Sequence, residues 1–278
     1  PIFGLNAGKN TQGQDTVAIG ESAGENRQGS AAVAIGSFAG QYTQAANSVA
    51  IGYTAGNTAQ SSYSVAIGYG AGGGTQGQSA IAIGWLAGYN TQGDSTIALG
   101  YNAGWRSQGS GAIAFGYFSG RTFQGVNAIA IGVNAALRTQ GQNAIAIGGT
   151  AAATAQGSGG IAIGNSAGRN SQGINAVALG NSAGLTAQGT SGVAIGISAG
   201  TNTQGENAVA IGNAAAATSQ GSGSIALGYF AGQYTQGINA IAIGAGAAVT
   251  QQGQNAVAVG TSAGTNTQGS GAVAIGYQ

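Results

Sequence analysis

The chain has 278 residues, of which 57 are glycine and only 4% are charged, and it contains no histidine, cysteine or methionine. Six Lys or Arg against five Asp or Glu leave a formal net charge of +1 with neither sign clustered along the chain, which gives no electrostatic case for nucleic acid or an anionic membrane as partner. A 43% hydrophobic content with so few charges is the reverse of the composition of a disordered chain, so a regular structure has to bury those residues.

From the first residue, the sequence repeats with a period of sixteen and without an insertion or deletion. Units begin at Pro1, Val17, Val33, Val49, Val65, Ile81, Ile97, Ile113, Ile129, Ile145, Ile161, Val177, Val193, Val209, Ile225, Ile241 and Val257, with a partial unit from Val273. The common form is [VI]-A-[IL]-G-x-x-A-G-x-x-[TSA]-Q-G-x-x-[AS]. Each unit opens on β-branched residues around an alanine, as in Ile129-Ala130-Ile131, and closes that run with a glycine, Gly132. This predicts a short strand ending in a bend. A helix is disfavoured, because two or three glycines per unit would each cost about 1 kcal/mol and no 3.6-residue apolar spacing is present. A second short strand is predicted at the Thr-Gln pair, as at Thr139-Gln140, with Gly132 and Gly141 as corners.

Two strands and two corners make one coil, and a single coil does not bury enough to stand alone. Stacking in register supplies the missing contacts and lets each backbone bond to its neighbours. The predicted fold is therefore all-β, a parallel β-solenoid of seventeen sixteen-residue coils, running as one continuous repeat domain over residues 1–278. At a strand spacing of about 4.8 Å it would be about 80 Å long.

Glutamine fills the twelfth position of every unit: Gln12, Gln28, Gln44, Gln60, Gln76, Gln92, Gln108, Gln124, Gln140, Gln156, Gln172, Gln188, Gln204, Gln220, Gln236, Gln252 and Gln268. A side chain that both donates and accepts, repeated once per coil, predicts a structural amide ladder along the axis rather than a ligand site. The fourth position is always glycine, from Gly4 to Gly276. That implies a positive φ or an approach too close for a Cβ. The second position is alanine from Ala18 onward, between two large aliphatics. Side chains alternate along a strand, which leaves two arrangements open. Either Val/Ile fill the coil and alanine lies outside against another surface, or alanine fills a thin interior and Val/Ile face a partner. Both leave an apolar face to cover and predict an oligomer or filament.

The remaining positions vary and read as outward corners. Tyr53, Tyr69, Trp85, Tyr101 and Tyr117 occupy the fifth position of consecutive units, with Phe118 beside the last. They make either a surface contact, a strip for sugars or for a neighbouring fibre, or a column of rings stacked on one another. Arg106, Arg121, Arg138 and Arg169 are too sparse for a phosphate-tracking groove and read as solvated corners.

The tetrapeptides VAIG and IAIG, in contexts such as Asn143-Ala144-Ile145-Ala146-Ile147-Gly148, resemble the head repeats of YadA-type trimeric autotransporter adhesins, and similar repeats occur in viral and phage fibre proteins. The resemblance spans every unit. It implies a left-handed parallel β-roll whose three copies pack side by side, outside a bacterial cell or on a virion, attached to host matrix, glycan or another surface. Family repeats are nearer fourteen residues, and the A-G-x-x-T-Q-G segment is additional.

Catalysis is not expected: histidine and cysteine are absent, and Asp15, Glu21, Glu25, Asp94 and Glu206 are scattered. The same scatter predicts no metal site and no cofactor. No apolar run approaches the roughly 20 residues of a spanning helix. No signal-peptide pattern precedes the repeats, and Pro1 in place of methionine points to upstream processing or truncation. Both ends break off in phase and uncapped, which predicts a longer parent chain or copies stacked end to end. The expected role is thus a structural or adhesive extracellular fibre element that associates with itself, at a cell or virion surface. The alternative is an ice-binding solenoid, for which the threonines at the eleventh position, among them Thr11, Thr75, Thr203 and Thr267, would form the regular rank. Arg27, Phe123 and Gln251 interrupt it.

Overall fold

A computed structural model describes residues 1–277; Gln278, the last residue of the partial unit, lies outside the described residues. The chain divides into two compact units, Pro1–Gln142 and Asn143–Gln278. Each is a parallel β-solenoid, and no helix occurs among the described residues.

In the first unit every coil contributes one strand at its aliphatic run and one at its Thr-Gln pair, as in Ile81–Ile83 and Thr91–Gln92. Successive coils pair in parallel with a shift of one whole repeat: Ile81 lies opposite Ile97, Ala82 opposite Ala98 and Ile83 opposite Leu99. The second strands keep the same register, Thr75 opposite Thr91 and Gln76 opposite Gln92. The second unit repeats the plan, with Val193, Ala194 and Ile195 opposite Val209, Ala210 and Ile211 and Thr203 and Gln204 opposite Ser219 and Gln220. Identical residues fall into columns because one repeat is one coil, and the backbone bonds continue through the turns, as from Leu86 N–H to Tyr69 O at 2.8 Å.

Two glycine columns make this close stacking feasible. At the fourth position Gly84 has φ +129°, and a Cβ there would lie 2.5 Å from the carbonyl oxygen of Gly100 in the next coil. Both causes anticipated for this column act together. At the thirteenth position, glycine except at Ala45 and Ser61, the backbone is not in the left-handed region; the constraint is approach alone, since a Cβ on Gly125 would lie 2.6 Å from Gln142 N. The left-handed turns fall instead at the sixth, eighth and fifteenth positions. There Ser22 (φ 53°), Gly24 (φ 54°) and Asn47 (φ 58°) are typical occupants, short polar side chains or glycine being the residues that tolerate this region.

The interior settles the question that alternation left open. In the coil starting at Val65, the residues turned inward are Ala66, Ala71, Gln76 and Ala80, all fully buried. In the coil starting at Val193 they are Ala194, Ala199, Gln204 and Ala208. Val65, Ile67, Val193 and Ile195 are only half-buried, and Ile19, Phe115, Ile163 and Ile211 are exposed. The arrangement with Val/Ile inside is therefore overturned. The coil is thin enough that its inward positions hold only alanine or other small residues such as Ser48, Thr96 and Ser119, with one glutamine laid across, so the aliphatics stand outward.

Candidate functional surface

The glutamine column lies inside. Gln28 to Gln252 along the column are almost completely buried, and Gln268 is 7% exposed; Gln12, in the first coil, is half-buried. Gln28 Nε2 donates to Val17 O at 2.8 Å and to Ala32 O at 3.1 Å. Gln204 Nε2 does the same to Val193 O at 2.7 Å and Ala208 O at 3.1 Å. The amide thus spans its own coil, tying the second strand to the first residue of the first strand and to the last residue of the unit. Two carbonyl acceptors demand the NH2 end of the amide and fix its orientation.

Axial amide bonds accompany this bridge in parts of the column. In the first unit they run from Gln92 to Gln108 at 3.2 Å and from Gln108 to Gln124 at 3.1 Å. In the second they join Gln156 to Gln172 at 2.9 Å, Gln220 to Gln236 at 3.3 Å and Gln252 to Gln268 at 3.2 Å. Elsewhere, as at Gln28, Gln76 and Gln204, Oε1 is buried without a hydrogen-bond partner. Sequence reasoning looked for the axial contacts and missed the cross-coil bridge, although the invariance of glutamine beside small residues at positions two, seven and sixteen was its signal.

Outside, the fifth-position rings of the first unit stack face to face. Tyr53 and Tyr69 are 5.2 Å apart between centroids, Tyr69 and Trp85 4.1 Å, Trp85 and Tyr101 6.4 Å, and Tyr101 and Tyr117 5.2 Å, all within 18° of parallel. Phe38 closes one end edge-on to Tyr53 at 5.9 Å, and Phe118 packs against Tyr117 at 4.2 Å at the other. Faces are thereby spent on neighbouring rings, and the edges, with the tyrosine hydroxyls, are what solvent meets. A sugar needs an open face to stack on. In the second unit the fifth position carries Tyr229, packed on Phe230 at 3.9 Å, and the exposed Tyr277 of the partial unit.

The arginines do not behave alike. Arg106 and Arg138 are exposed, whereas Arg121 is half-buried. Its guanidinium lies 4.7 Å from the Phe118 centroid and 5.4 Å from that of Trp105, and Arg106 lies 5.3 Å from the same Trp105 ring. Arg121 is thus a stacked cation rather than the solvated corner expected from the sequence.

The eleventh-position rank is outward-facing, with Thr75, Thr91, Thr203 and Thr235 exposed, but Phe123 and Gln251 stand exposed within it. Among the described residues no group of three or more His, Cys, Asp or Glu could hold a metal ion, and no helix is long and apolar enough to cross a membrane.

The model for two copies of the YadA head domain repeat matches residues 44–71, 187–215, 204–231, 236–263 and 252–278, so matches to this repeat fall in both units. This repeat is a structural element of adhesins displayed at bacterial surfaces and is not an enzyme family. Each matched segment is shorter than two coils of this chain. No curated protein matches the chain.

Proposed function

We propose that this chain is an extracellular fibre element in which copies pack side by side through their Val/Ile faces, presenting the variable corners for adhesion. The observation that supports this reading is the row of half-buried or exposed aliphatics beside the buried alanine column, which each unit carries. Ile81, Ile83, Ile97 and Leu99 belong to it in the first unit, and Val193, Ile195, Val209 and Ile211 in the second. A flat, repeating apolar face of this kind exceeds what a soluble monomer leaves open, and burying it against the same face of another copy removes the penalty. The head repeats favour three copies. The glutamine column has the structural part in this scheme: it keeps each coil flat, and with it the outward aliphatic row.

Sedimentation velocity of the purified chain tests the packing. The wild-type protein is expected as a discrete oligomer at micromolar concentration. Ile83→Lys combined with Ile195→Lys is expected to release monomers that keep a β-type circular dichroism spectrum, since both side chains point away from the interior. A monomeric wild-type protein would overturn the proposal.

A further inference from the structure

Charge is not spread evenly once the coils are stacked. Four of the five acids of the chain, Asp15, Glu21, Glu25 and Asp94, precede Ile97, and the fifth is Glu206. The three coils from Ile97 to Ala144 hold Arg106, Arg121 and Arg138 and no acid at all. Asp94, the nearest acid in sequence, is engaged through Oδ1 with the backbone N–H of Gln78 at 2.8 Å.

Stacking converts that sequence interval into a patch. Arg106 N–H bonds to Arg121 O at 3.0 Å and Phe123 N–H to Arg138 O at 2.8 Å, so the three residues follow one another on one turn of three successive coils. Arg106 and Arg138 share the tenth position and are two coils apart, about 10 Å at the ordinary strand spacing. Arg121 sits between them at the ninth position, clamped by Phe118 and Trp105. Its Nε and the Trp105 Nε1 are buried without a hydrogen-bond partner. The clamp therefore holds the guanidinium in place without an ion pair, leaving its outer nitrogens to meet an anion. Beyond Phe118 the patch runs on into the exposed edge of Tyr117, ring centroids 4.2 Å apart.

We infer that Arg106, Arg121 and Arg138, held by Trp105 and Phe118, form a binding surface for an acidic polysaccharide bearing sulfate or carboxylate groups. A guanidinium fork matches either anion, and a stacked arginine has lost little freedom when it binds. Two coils of separation suit one disaccharide repeat of an extended acidic glycan, and the tyrosine hydroxyl supplies a partner for sugar hydroxyls. Nucleic acid fits less well, because the Trp105 and Phe118 ring faces that would stack successive bases are taken by guanidiniums. A membrane fits less well too, because three charges alone give weak attraction. The inference deepens the adhesive reading and rests on it for its extracellular setting. It does not depend on the number of copies, which sedimentation reads separately.

The test is binding of the full chain, by calorimetry, to a heparin octasaccharide, a hyaluronan oligosaccharide, uncharged dextran, single-stranded DNA and phosphatidylserine vesicles. Binding of at least one acidic oligosaccharide, absent with dextran and weakened by salt, is expected, and the heparin and hyaluronan arms separate sulfate from carboxylate recognition. Arg121→Gln is expected to weaken it about tenfold or more, the scale of one charge-assisted hydrogen bond, and Arg106→Gln with Arg138→Gln to weaken it further. Arg27→Gln, distant from the patch, is expected to leave it unchanged. The exposed positions 106 and 138 make that double variant safe for folding. No binding to either acidic oligosaccharide, equal loss with Arg27→Gln, or tighter binding to DNA or vesicles would overturn the inference, whatever the oligomeric state proves to be.

Discussion

The two units share a coil and differ in what they display. Their inward positions are interchangeable: Ala66, Ala71, Gln76 and Ala80 in Pro1–Gln142 have the same burial as Ala194, Ala199, Gln204 and Ala208 in Asn143–Gln278. Outward, the first unit carries a stacked aromatic column from Phe38 to Phe118 and the arginine patch, while the second has Tyr229 with Phe230 and, as its charges, Arg169 and Glu206 alone. The lesson is a division of labour by position. Residues at two, four, seven, twelve and sixteen set the coil and tolerate little, whereas five, nine, ten and eleven vary because their side chains lie outside the interior, and the sixth varies in side chain while keeping its left-handed backbone. A repeat protein stabilised by neighbour-to-neighbour contacts can therefore specialise one stretch of its surface without redesigning its interior.

The largest expected effect tests the sameness of the interiors. Gln76→Glu and Gln204→Glu each place a carboxylate in a solvent-free interior against two carbonyl oxygens, at a cost of about 3–5 kcal/mol. The cost should be alike in the two units, and denaturant unfolding of each variant measures it. Because the buried carboxyl favours its neutral form, the loss should be full above the raised folded value and should ease as pH falls from there toward the ordinary carboxylate range. A cost confined to one unit would break the equivalence.

A smaller effect sharpens the difference. Trp85→Ala removes a ring stacked between Tyr69 and Tyr101, and should cost about 0.5–1.5 kcal/mol in ring contacts beyond the area lost. The same coil position in the second unit, Asn213→Ala, should stay within about 0.5 kcal/mol. Thermal unfolding of both variants makes the comparison.

The smallest effect lies in the charged early coils. Gln41 Nε2 donates to Glu25 Oε2 at 3.0 Å, and this bond, with Ser22 and the Lys9 charge as lesser contributors, holds the Glu25 carboxyl below its usual range. A depressed folded value adds stability above the unfolded carboxylate range, and that stability is lost as pH falls through the folded value. NMR titration should show Glu25 with a lowered midpoint, and Gln41→Ala should move it back up.

Much of this was legible in the residues. VAIG at a constant period located the first strand, Thr-Gln the second, and invariant Gly4 to Gly276 the corner. The left-handed turns at Ser22 and Asn47 were not, because those positions vary in identity and share only a backbone conformation. The role of Arg121 was not legible either, since Trp105 and Phe118 belong to the preceding coil and to a different corner position of its own coil.

By itself, the sequence determined the period, the all-β solenoid and the in-register columns, because a strict repeat with glycine at fixed corners has no other way to satisfy its backbone. Only the tertiary structure decided which side of the strand is the interior. Val-Ala-Ile is apolar at three successive positions, so alternation says that the two aliphatics share a face without saying which face. Closure into a coil this thin leaves room for small side chains and one glutamine amide, and it is that lack of volume which turns the aliphatics outward.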